Sequence, residues 1–216
     1  MNRGRCVFIA LIAIALACGS SRLAAAQGAP ANGSGIAKAG DTAQFINKAT
    51  QAEQCLDFGG AADWYEKAAE IGDARSMYEL GWIYFGAHDI PGRKLVDYPK
   101  AAIWFRRSAD LNYLPAVTQL GVMYGGDGSL GVPEDQAKAA QLFLRAAKAG
   151  DAKAMNNLAL KYSQGKGLPR DIDAAIRWWR KAVEVDKNGP SGKAAQSWLD
   201  LHNGKPFCPY CAPSAR

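Results

Sequence analysis

Hydrophobic and polar positions repeat along most of this chain at a nearly constant spacing. The repeated segment occurs four times, as WYEKAAEIGDA from Trp64, WFRRSADLNYL from Trp104, LFLRAAKAGDA from Leu142 and WWRKAVEVDKN from Trp178. These starts lie 40, 38 and 36 residues apart. A period between about 20 and 50 residues is typical of solenoid proteins, in which each unit stacks on the next.

Other positions keep the same register. An Asp precedes each of the four starts by seven residues, and a Leu and a Tyr follow the first three starts at constant offsets. The members of these columns are Asp57, Asp97, Asp135 and Asp171; Leu80, Leu120 and Leu158; and Tyr84, Tyr124 and Tyr162. Agreement at several columns indicates repeated structural units.

Each repeat unit predicts two helices. In the stretch 73–85, apolar residues recur at three- and four-residue steps, as on the buried face of an amphipathic helix. In the stretch 100–111, aromatic and small residues alternate at four-residue steps. We expect Trp64, Trp104 and Trp178, which share one column, to be buried in the core.

Short turns are predicted between successive helices. Gly72 and Gly150 suit the left-handed backbone conformation that ends a helix, and the Asp after each can cap the next helix. We expect Asn112 to take the role of Gly in the middle turn. Two residues then suffice for a tight antiparallel connection.

The repeat units resemble the Sel-one-like repeats, relatives of the tetratricopeptide repeats. The resemblance rests on LGVMYGGDGSLGVPEDQAKAAQLFLRAAKAGDA, on LALKYSQGKGLPRDIDAAIRWWRKAVEVD and on LGWIYF with DYPKAAIWFRRSADLNY, and it covers residues 57–203. It implies an all-α fold, an α-solenoid of antiparallel helix pairs with three to four repeats and a closing helix. It also implies a non-enzymatic protein that binds a protein or peptide, as an adaptor or regulator of the bacterial envelope.

The chain divides into eight predicted segments. These are a signal peptide (1–26), a flexible linker (27–42), an irregular leading helix pair (43–72), three repeats (73–112, 113–150 and 151–190), a closing helix (191–203) and a tail with a CPYC turn (204–216).

The first segment predicts export. Two Arg residues precede the apolar run VFIALIAIALA, which at eleven residues is too short for a membrane-spanning helix, and an A-x-A cleavage site follows at residues 24–26. We therefore expect a periplasmic or secreted protein that begins at Gln27. The alternative is lipidation at Cys18, whose context ALAC resembles a lipobox, and this would give an outer-membrane lipoprotein with a structural role.

Charge does not favour a nucleic-acid partner. The formal net charge of +6 falls to +3 when the signal segment, with its three Arg residues, is removed. No Lys- or Arg-rich run and no RNA-binding signature occurs. We expect a monomer without nucleic acid or cofactor, in contact with a membrane only if Cys18 is lipidated.

The tetrad Cys208-Pro209-Tyr210-Cys211 has the active-site sequence of glutaredoxins. A thioredoxin-like site requires a strand before the motif and a helix after it, yet only five residues follow and no βαβ pattern occurs. We therefore predict a turn closed by a Cys208–Cys211 disulfide, although Cys55 could instead pair with one tail cysteine. A thiol-disulfide oxidoreductase is the alternative function.

Other catalytic patterns are weak. The stretch from Ser163 to Lys166 has the SxxK spacing of penicillin-binding enzymes but lies in a Gly-rich loop, and no SDN or KTG accompanies it. A β-lactam-binding or hydrolysing protein is thus an alternative only. His88 and His202 are the two histidines, so no HExxH zinc motif can form. A site made of His202, Cys208 and Cys211 would have one ligand too few for a structural zinc, and we expect no metal.

Residues that vary between repeats on the first helix of each pair define a predicted binding groove. By resemblance to tetratricopeptide repeats, this helix face lines the groove. The candidate partner-binding residues are Arg75, Tyr78, Trp82, Phe85, Thr118, Lys153, Asn156 and Asn157. Lys153 and Asn157 lie one turn apart and could hold a carboxylate.

Overall fold

The protein is described here by a computed structural model covering residues 39–86 and 96–202. All regular secondary structure in these residues is α-helical. The nine helices of this part of the chain are α1 (Ala39–Gln54), α2 (Phe58–Glu70), α3 (Ala74–Phe85), α4 (Tyr98–Asp110), α5 (Leu114–Tyr124), α6 (Gln136–Lys148), α7 (Ala152–Gln164), α8 (Ile172–Val185) and α9 (Pro190–His202). They form two compact units, the first ending at Asp97 and the second beginning at Tyr98.

Within each unit, every helix packs against the next one along the chain, and α9 also contacts α7. The predicted all-α repeat fold with helices in successive pairs is confirmed. None of the helices in the two described ranges is long and apolar enough to cross a membrane.

The tight turns form as predicted. Gly72, Asn112 and Gly150 adopt φ values of 100°, 61° and 99°, so Asn112 takes the left-handed position that Gly holds elsewhere. Two backbone hydrogen bonds close each turn. In the first turn, Gly72 N–H donates to Ala69 C=O and Asp73 N–H donates to Ala68 C=O. Such paired bonds satisfy the last carbonyls of the helix and reverse the chain direction.

The repeated Asp and Tyr columns are linked by hydrogen bonds. The backbone N–H groups of Asp97, Asp135 and Asp171 donate to the carbonyls of Tyr84, Tyr124 and Tyr162 at 2.8, 2.8 and 3.0 Å. The Asp135 and Asp171 side chains also accept from backbone N–H groups in the first turns of α6 and α8. One Asp thus closes a loop with its backbone and begins a helix with its side chain.

The core aromatic column lies one residue after the column predicted from the sequence. The buried side chains of this column are Tyr65, Phe105, Phe143 and Trp179, exposed by 5, 0, 2 and 0%. Trp104 is buried as predicted, but the prediction is wrong for Trp64 and Trp178, which are half-buried.

The Trp column predicted from the sequence, Trp64, Trp104 and Trp178, is here called the outer column. In each case the cationic group of the residue three positions later lies over the Trp ring. Lys67 Nζ lies 4.0 Å from the centre of the Trp64 ring, Arg107 Cζ 4.8 Å from that of Trp104 and Lys181 Nζ 4.7 Å from that of Trp178. These cation–π contacts cover the half-buried rings of Trp64 and Trp178 and the buried ring of Trp104.

The Leu column of the first helices is buried as predicted. Leu80, Leu120 and Leu158 are exposed by 0, 4 and 0%. The small residue after Leu120 has a steric role, because a Cβ on Gly121 would lie 2.8 Å from Phe143 Cε1. Gly121 therefore allows the Phe143 ring of α6 to pack directly on the backbone of α5.

Candidate functional site

Three aromatic rings form an edge-to-face row along α3. The Tyr78 and Trp82 rings lie 6.1 Å apart at 86°, and the Trp82 and Phe85 rings lie 5.4 Å apart at 78°. All three side chains are half-buried. We call Tyr78, Trp82 and Phe85 the aromatic cluster; the structure brings these three predicted binding residues together.

Arg75 lies one turn before this cluster and forms an ion pair with Glu79 on the same helix. Its Nε lies 3.8 Å from Glu79 Oε1, and the two side chains are 68 and 30% exposed. Burial raises the pKa of the Glu79 carboxyl, the Glu53 carboxylate raises it further, and Arg75 opposes both. Burial, with Glu53 second, also raises the pKa of Tyr65 to about 12. Glu53 and Glu79 therefore give this part of the first unit a negative potential, which Arg75 partly offsets.

Thr118 is not a groove residue. Its side chain is 1% exposed, and its hydroxyl donates to Asp151 Oδ2 at 2.7 Å. Asp151 in turn accepts from the backbone N–H groups of Lys153 and Ala154 at the start of α7. Thr118 thus joins α5 to the cap of α7, and it is a packing residue because its only polar atom is used internally.

The remaining candidates on α7 have different environments. Lys153 is exposed. Asn156 is half-buried, and its Nδ2 donates to the carbonyl of Ser191 at 3.4 Å, which ties α7 to the start of α9. Asn157 is half-buried and faces a cleft. The proposed clamp of Lys153 and Asn157 is therefore split between an exposed position and a cleft wall.

This cleft lies between α5 and α7, and α6 forms its floor. Its volume is about 210 Å³. The lining residues are Val122, Gly125, Phe143, Asn157, Leu160, Lys161 and Gln164. Apolar side chains from three helices meet here with one amine and two amides.

The Lys161 ammonium is held at one side of the cleft by Gln136. Lys161 Nζ donates to Gln136 Oε1, while Gln136 Nε2 donates to Gly125 C=O at 3.1 Å and to Glu134 Oε1 at 2.6 Å. Burial lowers the pKa of Lys161, repulsion from Lys166 lowers it further, and Glu134 opposes them. The site is therefore a partly desolvated cation next to an apolar floor.

The β-lactam alternative depends on Ser163, which the structure describes, whereas the CPYC motif lies outside the described residues. Ser163 lies in the last turn of α7, not at the start of a helix, and its hydroxyl donates to the Leu160 carbonyl at 2.9 Å. In residues 39–86 and 96–202, no three His, Cys, Asp or Glu side chains are grouped as metal ligands.

The predicted Cys208–Cys211 bridge lies outside the described residues. Cys55, directly after α1, is disulfide-bonded, whereas the other four cysteines all fall outside the described ranges. The pairing in the tail stays a prediction, and Cys55 is not a free thiol.

The sequence matches the Sel1 repeat family over residues 56–73, 74–113, 114–151 and 152–185. The chain belongs to this family, and its α-helical repeats are Sel1 repeats. Sel1 repeat proteins are generally protein-interaction proteins that bind other proteins and typically act as non-catalytic scaffolds. Among curated proteins, none matches the sequence.

Two solved structures share the fold. A Sel1 repeat protein from Oxalobacter formigenes has 24% identity and a TM-score of 0.61, with 74% of this chain and 63% of that chain covered. The protein c5321, a protective antigen of uropathogenic Escherichia coli strains with an SLR fold, has 27% identity and a TM-score of 0.57. That alignment covers 75% of this chain and 36% of c5321, so both relatives extend beyond the matched region.

Proposed function

We propose that this protein is an exported, non-catalytic adaptor or regulator of the bacterial cell envelope that binds a protein or peptide partner. Membership of the Sel1 repeat family supports a protein-binding role. The N-terminal segment, with its charged start, apolar run and A-x-A site, supports export. Intact-mass measurement of the mature protein would test this: a mass equal to that of the chain from Gln27 without acyl groups indicates cleavage and free export, whereas an acylated Cys18 indicates lipid anchoring.

The observation that carries the proposal is the aromatic cluster on α3. Trp82 contacts Tyr78 on one side and Phe85 on the other, so its ring is held in one orientation. Rigid aromatic side chains dominate many protein interfaces because they bury a large area and lose little conformational entropy on binding. Arg75, exposed on the same helix, adds a charged group beside them.

Partner capture by variants tests this assignment. The mature protein is used to capture partners from an envelope extract, and bound proteins are quantified by mass spectrometry for wild type, Tyr78→Ala and Trp82→Ala. Each substitution removes a ring that the partner contacts, so affinity for a specifically captured protein should fall by about 30-fold, as at interface hot spots.

Trp178→Ala is the matched control, since Trp178 is also a half-buried Trp but lies on α8. It should retain partner capture. The proposal is wrong if the aromatic-cluster variants capture the partner as well as wild type while melting at the same temperature. Large destabilisation with binding retained in the folded fraction would make these rings core residues and would also reject it.

A further inference from the structure

We propose that the cleft between α5 and α7 binds a carboxylate that lies beside a branched or aromatic apolar side chain of a peptide. The carboxylate is either a free C-terminus or an internal Asp or Glu. This inference rests on the proposed function, because it specifies the chemistry of one part of the partner.

The floor of the cleft fits a single apolar side chain. Val122, Phe143 and Leu160 come from three successive helices and line an open space of about 210 Å³. Pockets for drug-sized ligands occupy roughly 300–1,000 Å³, so this one is suited to a smaller group. A Leu- or Phe-sized side chain would cover the exposed parts of Val122 and Leu160, while Phe143, already buried, closes the bottom of the cleft.

Gly125, directly after α5, allows the lysine amine to lie close to the backbone at the cleft. The repeat position occupied by Gly125 holds Phe85 in the preceding repeat and Ser163 in the following one. A Cβ on Gly125 would lie 3.0 Å from Lys161 Nζ and 3.2 Å from the Gly121 carbonyl. A side chain at this position would therefore crowd the lysine amine, whereas Gly125 lets that amine lie at the edge of the cleft.

The amine provides the charge complementarity for a carboxylate. Its hydrogen bond goes to the neutral Gln136, and no carboxylate in the described residues lies within ion-pair distance of it. An ammonium has three donors, so further donors remain for a ligand. Residues 98–202 carry fifteen Lys and Arg against ten Asp and Glu, which adds a favourable field for an acidic ligand.

Asn157 supplies a second polar group on the cleft wall. Its amide makes no hydrogen bond within the described part of the chain, although the residue is half-buried. An amide that can both donate and accept matches a peptide bond. A bound peptide would place its carboxylate against Lys161, its apolar side chain against Leu160 and a peptide group against Asn157. The charged, apolar and amide groups of the cleft would then each have a partner.

Capped peptides test the proposal and separate the two sources of the carboxylate. The probes are acetyl-Gly-Gly-Leu with a free carboxylate, acetyl-Gly-Asp-Leu-amide with an internal carboxylate, and acetyl-Gly-Gly-Leu-amide with none. Acetyl-Gly-Gly-Ala with a free carboxylate tests the apolar requirement. Binding to the ¹⁵N-labelled mature protein is followed by NMR titration of the cleft amides, including Asn157 and Gln164.

At least one carboxylate peptide that contains Leu should bind about tenfold more tightly than the neutral amide, because a charge-assisted hydrogen bond is added. The Ala peptide should bind more weakly than its Leu counterpart. In Lys161→Met the preference for the carboxylate should disappear. Lys148→Met, which changes an exposed lysine of α6 outside the cleft, should preserve it.

Two results would overturn the inference. One is that neither carboxylate peptide binds wild type more tightly than the neutral amide. The other is that the carboxylate preference survives in Lys161→Met. Either result leaves the proposed function standing if Tyr78→Ala still loses partner capture, since that experiment depends on α3 and not on this cleft.

Discussion

Leu56 has a backbone conformation that the other turns give to Gly or Asn. Its φ is 58°, and Leu56 N–H and Asp57 N–H donate to the carbonyls of Glu53 and Ala52, which ends α1 as the later helices end. The side chain is 70% exposed. A left-handed conformation costs a residue with a Cβ about 1–2 kcal/mol, so this turn is less favourable than those at Gly72 and Gly150.

Leu56→Gly should therefore stabilise the protein. Gly removes the conformational penalty, but it loses more entropy on folding, which leaves a net gain of about 0.5–1 kcal/mol. Urea unfolding of both proteins would measure this gain. Gly150→Leu is the reverse control, since a Cβ at Gly150 would meet nothing within 4 Å and only its φ of 99° opposes a side chain. Equal or lower stability of Leu56→Gly would show that the exposed Leu side chain makes a compensating contact.

Within the second helices, the sequence predicted the existence of an aromatic core better than its register. The core was predicted at the column that contains three Trp residues. The more deeply buried column instead contains residues of three types, Tyr65, Phe105, Phe143 and Trp179. Neighbouring helix positions lie only about 100° apart, so both columns fall on the inner half of the helix. Which column is more deeply buried depends on tertiary packing, and so do the contacts of Lys67 with Trp64 and of Lys181 with Trp178.

Phe105→Ala should be strongly destabilising. Phe105 is 0% exposed, and loss of a buried Phe side chain costs about 3–5 kcal/mol because the cavity closes only partly. Thermal and urea unfolding monitored by circular dichroism would measure the loss. Trp178→Ala should cost less, because that ring is half-buried and its partner Lys181 is at the surface. If Trp178→Ala were the more damaging change, the assignment of the core column would be incorrect.

Across the whole chain, the periodic features were predictable and the cleft was not. The Asp, Leu and Tyr columns and the turn residues follow from local rules of capping, burial and left-handed backbone, which act in the same way in every repeat. Thr118 was predicted to line the groove, but its hydroxyl bonds to Asp151, which lies 33 residues away in the sequence, so the local pattern did not indicate this contact. Lys161 and Gln136 come from different helices at positions without a repeated pattern, so only tertiary structure brings them together. The one sequence signal was Gly125 at a position that holds Phe85 and Ser163 in the adjacent repeats.

A fragment comprising residues 98–202 should fold without the first unit. Each of its six helices packs on the next, and the buried side chains Phe105, Phe143 and Trp179 lie within it. In repeat proteins, stability is approximately the sum of repeat and neighbour-interface terms, so a run of adjacent repeats retains its own share. The fragment should be helical by circular dichroism and melt cooperatively, and Phe105→Ala should lower its melting temperature as in the full chain. The fragment 39–97, with three helices and a smaller core, should melt at a lower temperature. An unfolded 98–202 fragment would show that its stability depends on residues outside this range.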